Sequence, residues 1–194
     1  MRPEFVPPEV APTLPSVLLL GDSISIGYTL PVRTRLRGKA NVHRPAENCG
    51  PTIRGFDRLD AWIAGGPWAV IHFNFGLHDL KHIDAAGQMA PPDTGSYQVP
   101  IDQYERNLAT LTDRLAETGA HLIWAATTPV PEGATGRTKG DAARYNVAAK
   151  QVMDNRGVQI NDLHAFALGQ LDRIQQPANV HFTDNGSDVL AERV

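Results

Sequence analysis

Three signals predict an α/β domain, a parallel β-sheet held between two layers of helices. Short apolar runs alternate with stretches that carry apolar residues at helical spacing, from residue 16 onward. The runs Val17–Leu20 and Ala69–Phe75 are apolar on both faces, as strands covered on both sides must be. Glycines punctuate the ends of the helical stretches, at Gly38, Gly65-Gly66, Gly119 and Gly157. With 194 residues, 42% of them hydrophobic, the chain is long enough to bury one such core.

Residues 1–15 hold five prolines, Pro3, Pro7, Pro8, Pro12 and Pro15, and are expected to form an extended arm before a single domain at residues 16–194. Val17–Leu20 is the first strand. A helix follows within Ile26–Arg37, with Pro31 expected in its first turn or as an interruption. Asn41–Arg44 is a short second strand and Thr52–Ala64 a helix. Ala69–Phe75 is the third strand, and Met89–Pro100 reads as a surface loop. Ile101, Tyr104, Leu108, Leu111 and Leu115 recur at helical spacing. His121–Thr127 is the fourth strand, followed by a loop to Gly140 with a basic pair, Arg137 and Lys139. A helix at Asp141–Asn155 leads to a fifth strand, Val158–Asn161. Asp162 is placed to cap a helix through Leu171. The chain closes with a loop at Pro177–Asp184 and a short helix. Five strands in a right-handed βαβ series fit a flavodoxin-like three-layer α/β/α sandwich.

A formal charge of −3 and a pI near 6.1 give no electrostatic case for a nucleic-acid or anionic-membrane partner. No apolar run approaches the roughly 20 residues of a membrane span. Met1–Pro15 lacks the basic start and apolar core of a secretion signal, and cytoplasmic and exported origins both stay open. Cys49 is alone, which excludes an internal disulfide, and it reads as an inert apolar residue. Oligomeric state is not legible.

The chemistry centres on Ser16–Gly27. Its apolar run stops at Gly21-Asp22-Ser23 and passes into a helix, which puts Ser23 at the carboxyl edge of the sheet, where open α/β sheets bind ligands. A serine there can expose its hydroxyl while its N–H faces a helix N-terminus, as a nucleophile with an oxyanion stabiliser requires. On this stretch alone, a plain helix cap by Asp22 or Ser23 fits equally well.

Gly21-Asp22-Ser23 resembles the first of the four short blocks of the GDSL, or SGNH, hydrolases, whose signature residues are Ser, Gly, Asn and His. Glu47-Asn48-Cys49-Gly50-Pro51-Thr52 sits where the second block belongs, and the resemblance makes Gly50 an oxyanion donor; taken alone it is a turn glycine before Pro51. The third block usually reads Gly-x-Asn-Asp. Here it is Gly76-Leu77-His78-Asp79, with His78 in the asparagine position and its imidazole N–H able to take the amide's role. Asn74 is the nearby alternative, and it reads first as a buried amide satisfied by the sheet. Asp79 is expected to brace the loops, as Asp22 braces the first block, and His72 to be a core histidine. Val180-His181-Phe182-Thr183 matches the fourth block and makes His181 the general base. Asn74-Phe75-Gly76-Leu77-His78-Asp79-Leu80 together with that block resembles a subgroup of bacterial esterases and carbohydrate esterases.

One position departs from the pattern. The family's carboxylate, three residues before the histidine, is Ala178 here. A backbone carbonyl would leave a Ser-His dyad; Asn179, Asp184 or Asp162 are the other candidates to orient the imidazole. His72, His78, His82 and Asp79 do not share a metal-binding helix face, and no metal or cofactor is expected. The resemblance implies a serine esterase that cleaves short-chain acyl or acetyl esters, carbohydrate-linked ones among them. A catalytically degraded glycan-binding relative and an acyltransferase with the same residues are the alternatives.

Overall fold

The structure is a computed structural model and describes residues 2–194. In chain order the elements are β1 (Ser16–Leu20), α1 (Ser23–Arg35), β2 (Asn41–His43), α2 (Thr52–Ile63), β3 (Val70–Phe73), β4 (His82–Ile83), β5 (Ser96–Tyr97), α3 (Ile101–Ala116), β6 (His121–Ala125), α4 (Asp141–Asp154), β7 (Gln159–Asn161), α5 (Leu163–Leu168), α6 (Leu171–Ile174) and α7 (Asp184–Ala191). The main sheet is wholly parallel, in the order β2-β1-β3-β6-β7. This is the flavodoxin-like three-layer sandwich that the alternation of apolar runs predicts.

The order dictates where a ligand can sit. The chain leaves β1 toward β2 on one side and later crosses to β3 on the other. Right-handed crossovers then put α1 on one face and α2, α3 and α4 on the opposite one. A crevice opens where the loops after β1 and β3 part, at the carboxyl edge of the sheet. Beneath it lies a core in which Leu18, Leu19, Leu20, Ile71, Phe73 and Trp124 are nearly or completely buried.

The structure departs from the sequence reading in α1, in the helix predicted after Asp162 and in the loop predicted at 89–100. α1 begins at Ser23, three residues early, because the Asp22 carboxylate accepts the Ile24 N–H at 2.9 Å and starts the helix. Pro31 lies well inside α1 and does not stop it. Ile24, Tyr28 and Val32 form one buried face spanning the proline, and that packing carries the helix past the lost hydrogen bond. The predicted helix from Asp162 to Leu171 is two pieces, α5 and α6, broken at Gly169-Gln170. Part of the predicted loop 89–100 pairs with residues after β3, as β4 and β5 form a small antiparallel sheet.

The proline-rich arm is docked on the body. It makes one 3₁₀ turn, Pro3–Phe5. The Asn41 side chain then accepts from the Ala11 N–H at 2.9 Å and donates to the carbonyls of Ala11 and Leu14 at 3.0 and 3.1 Å. Arg33 donates to the Val6 carbonyl at 2.9 Å. A buried asparagine at the head of an edge strand thus satisfies the backbone of a segment that has no sheet partner.

Candidate active site

Ser23 is the first residue of α1, immediately after the capping Asp22. Gly21 permits the tight passage from β1: a Cβ there would lie 3.0 Å from both Cβ and Oγ of Ser25. Ser25 in turn donates to the Asp22 carbonyl at 2.8 Å. Below this turn sits Arg44, 9% exposed. Its guanidinium donates to Thr29 Oγ1 at 2.9 Å, to Ser25 Oγ at 3.1 Å, and to the carbonyls of Pro45, Glu47 and Gly21 at 3.2, 3.3 and 3.5 Å. Burial pushes its pKa down, opposed by Cys49, Tyr28 and Asp22. One buried cation therefore ties the loop that carries Ser23 to the loop that carries Gly50.

Across the crevice, His181 brings Nε2 to 2.9 Å from Ser23 Oγ. Its Nδ1 lies 2.8 Å from Asn179 Oδ1, which also accepts the His181 backbone N–H at 3.0 Å. An amide oxygen can only accept, so Nδ1 carries the proton and Nε2 presents a lone pair to the serine hydroxyl. The residue in the family's carboxylate position, Ala178, is turned elsewhere. It takes a left-handed conformation, φ 52°, and its Cβ faces Gly133, where an added Cβ would lie 3.2 Å away. Asp162 caps α5 through the Ala165 N–H at 2.9 Å and is spent there. Asp184, exposed at the start of α7, lines the cleft.

The oxyanion candidates fare differently. The Ser23 N–H, at the first position of α1, has no acceptor among the described residues. The Gly50 N–H donates to Asn48 Oδ1 at 2.9 Å, so the donor assigned to it by resemblance is already occupied. Its φ of +66° is the left-handed turn that a glycine accommodates. Asn74 is buried and donates its amide to the Ala125 carbonyl at 2.8 Å, as a sheet-satisfied amide. His78 is half-buried, and no described residue hydrogen-bonds its ring. Burial lowers its pKa and keeps the imidazole neutral; Asp22 opposes this, and the charges of Lys81, Arg137 and His181 reinforce it.

The supporting shell joins the loops. Asp79 is fully buried and accepts the Thr52 N–H at 2.8 Å and the Thr52 hydroxyl at 2.5 Å, pinning the α2 N-terminus to the third-block loop. Burial pushes its carboxyl up to about 7 against those hydrogen bonds. Arg137 donates from Nε to the Leu77 carbonyl at 2.9 Å and so holds the residue before His78. Cys49 is buried, its thiol pushed up to about 12 by burial. His72 is 2% exposed, with burial pushing it down to about 4, and its Nε2 lies 3.2 Å from Asn161 Nδ2. Among the described residues, no three His, Cys, Asp or Glu side chains converge on a cation position.

Sequence reasoning left Arg44 as the end of a strand and Arg137 as part of a basic pair. Neither has a local pattern that announces its role, since Arg137 acts on the Leu77 carbonyl and Arg44 joins its neighbours Pro45 and Glu47 to the distant Gly21, Ser25 and Thr29.

No family model matches the chain. Solved structures do match along nearly its whole length. The lipase/acylhydrolase from Enterococcus faecalis superposes with a TM-score of 0.74 at 16% identity, covering 93% of each chain. The acetyl xylan esterase AlAXEase gives 0.72 at 16% identity over 92% of this chain and 96% of that one. Axe2, an acetylxylan esterase from Geobacillus stearothermophilus, gives 0.73 at 16% identity over 92% and 91%. The fold is the SGNH-hydrolase fold. In this fold the Ser23 and His181 loops meet at the carboxyl edge of the sheet described above. A curated methionyl-tRNA formyltransferase of Bifidobacterium animalis subsp. lactis (strain AD011) is 37% identical over 93 residues, 48% of this chain. The chain spans 28% of the length of that relative.

Proposed function

We propose that the chain is a serine esterase that transfers an acyl group from an alcohol to water. The observation that carries this reading is the relay Asn179–His181–Ser23, with heavy-atom separations of 2.8 and 2.9 Å. A serine hydroxyl is a weak nucleophile until a base takes its proton, and the Nε2 lone pair is within reach to do so. Ser23 Oγ then attacks the ester carbonyl carbon as its proton passes to His181. The carbonyl oxygen becomes an oxyanion, held by the Ser23 N–H and by the neutral His78 ring N–H. Collapse breaks the bond to the alcohol oxygen, which takes the proton from Nε2 and leaves. Water repeats the sequence on the acyl-serine and releases the acid. No step requires a cofactor.

The solved esterases and lipases of the same fold support the ester as the substrate class. The two acetyl xylan esterases among them favour a short acyl group on a carbohydrate alcohol. The test is p-nitrophenyl acetate hydrolysis together with labelling by a fluorophosphonate probe. The wild type labels rapidly and hydrolyses the ester. Ser23→Ala, with its fold unchanged by circular dichroism, does neither. A folded Ser23→Ala that keeps most of the activity moves the nucleophile elsewhere; a wild type that neither labels nor turns over leaves a non-catalytic glycan-binding protein.

A further inference from the structure

The cleft beside Ser23 has a volume of about 460 Å³, and one of its walls is the arm. Ser23, His181, Asp184 and Gln176 line it together with Arg2 and Glu4. None of the oxyanion candidates at 50, 74 or 78 does. His181 must deliver its proton to the departing oxygen, so a cleft lined by His181 and not by His78, the second oxyanion donor, is where the alcohol lies.

The arm does not reach this place by chance contact. Phe5 packs with its ring centre 5.6 Å from the guanidinium carbon of Arg44, the cation that ties the Ser23 loop. The Arg2 guanidinium lies over the same ring, also at 5.6 Å. Glu4 is held in beside them, its side chain 17% exposed, with Oε2 3.5 Å from Arg2 Nε. The Arg2 side chain is 61% exposed, and its ion pair with Glu4 is made through Nε, not through the two terminal amino groups. A guanidinium steered from one side by a carboxylate and an aromatic ring keeps its outer donors for a ligand.

We propose that the arm supplies the leaving-group subsite, in which Arg2 donates hydrogen bonds to hydroxyl groups of the departing alcohol while Glu4 and Phe5 hold it in position. The ligand is a neutral polyhydroxylated alcohol. Hydroxyl oxygens accept from Arg2, and their protons are available to Asp184 and Gln176, which line the same cleft. This inference rests on the esterase reading and adds to it a recognition element from outside the α/β domain.

Two acetyl esters test it: ethyl acetate, and a methyl pentoside carrying one acetyl group. Both form the same acetyl-serine, so a difference in kcat/KM between them belongs to acylation and to the alcohol. Arg2→Ala lowers kcat/KM for the pentoside about tenfold relative to ethyl acetate, the size of one charge-assisted hydrogen bond. Glu4→Gln lowers that ratio less, Arg2→Lys restores part of it, and Glu9→Ala, exposed farther along the arm, leaves it unchanged. If both esters are hydrolysed and neither Arg2→Ala nor deletion of residues 2–6 shifts the ratio, the subsite is overturned and the esterase reading stands. If the wild type hydrolyses neither ester, both fall.

Discussion

Asn179 Oδ1 accepts two N–H groups of His181, the backbone donor at 3.0 Å and Nδ1 at 2.8 Å. The imidazole is thus oriented by a neutral amide two residues before it. A neutral partner fixes the tautomer as well as a carboxylate would, but contributes no charge to stabilise the imidazolium.

Asn179→Asp is expected to move the acidic limb of the kcat/KM profile to higher pH, because a carboxylate favours the protonated ring, and to raise the plateau on the order of tenfold. Asn179→Ala lowers the plateau by a similar factor. Ala178→Asp leaves both unchanged, since residue 178 faces Gly133. The measurement is the pH–rate profile of each variant; a limb that stays put in Asn179→Asp means another group orients the ring.

His78→Ala is expected to lower kcat by about 10²–10³, the usual loss of one oxyanion donor. Asn74→Ala shows its effect in stability instead, because its amide is committed to the Ala125 carbonyl; the loss is about 1–3 kcal/mol in a denaturant melt. The reverse pattern, with kcat lost in Asn74→Ala and kept in His78→Ala, would exchange the two roles.

Asp79 offers a pH test. Its folded carboxyl titrates at about 7, above the unfolded value near 4, so the folded state holds the proton more tightly between those limits. Wild-type stability from this group therefore falls as pH rises from about 4 to about 7, on the order of 4 kcal/mol in all. His72, pushed down to about 4 from an ordinary value near 6.5, acts in the opposite sense over most of that range. The difference in Tm between Asp79→Asn and wild type isolates Asp79. It should grow in the variant's favour from pH 4 to 7 and then level off; a flat difference removes the burial penalty.

Arg44 is a positioning residue. Arg44→Met is expected to cut kcat for a small ester about 10- to 100-fold with KM nearly unchanged, because the Ser23 turn loses its tie to the Glu47 loop. Arg44→Lys recovers only part, since one ammonium cannot span carbonyls and hydroxyls on both sides. Equal loss of thermal stability and kcat in both variants would mark a purely structural role.

The sheet was legible because its strands must be buried on both faces, which leaves runs such as Val17–Leu20 with no polar alternation to obscure them. β4 and β5 were not, since two-residue strands carry no period. Pro31 misled for a related reason: a helix's tolerance of proline is set by what its buried face packs against, and the partners of that face, His72 beside Tyr28 and the helix α7, lie far away in the sequence. The site divides the same way. Ser23 and His181 stand in short blocks at the end of a strand and in a late loop, and the structure brings them together. The choice of Asn179 over Ala178 depends on a left-handed turn at residue 178, which alanine does not advertise. Arg44 and Arg137 act across gaps that no short motif spans.

The docked arm has a practical corollary for handling the protein. A purification handle fused ahead of residue 1 would deliver its linker to the rim of the cleft, beside Arg2. Tagged and untagged protein would then agree in fold and melting behaviour yet rank alcohols differently, and a substrate screen run on the tagged form would describe the linker as much as the enzyme.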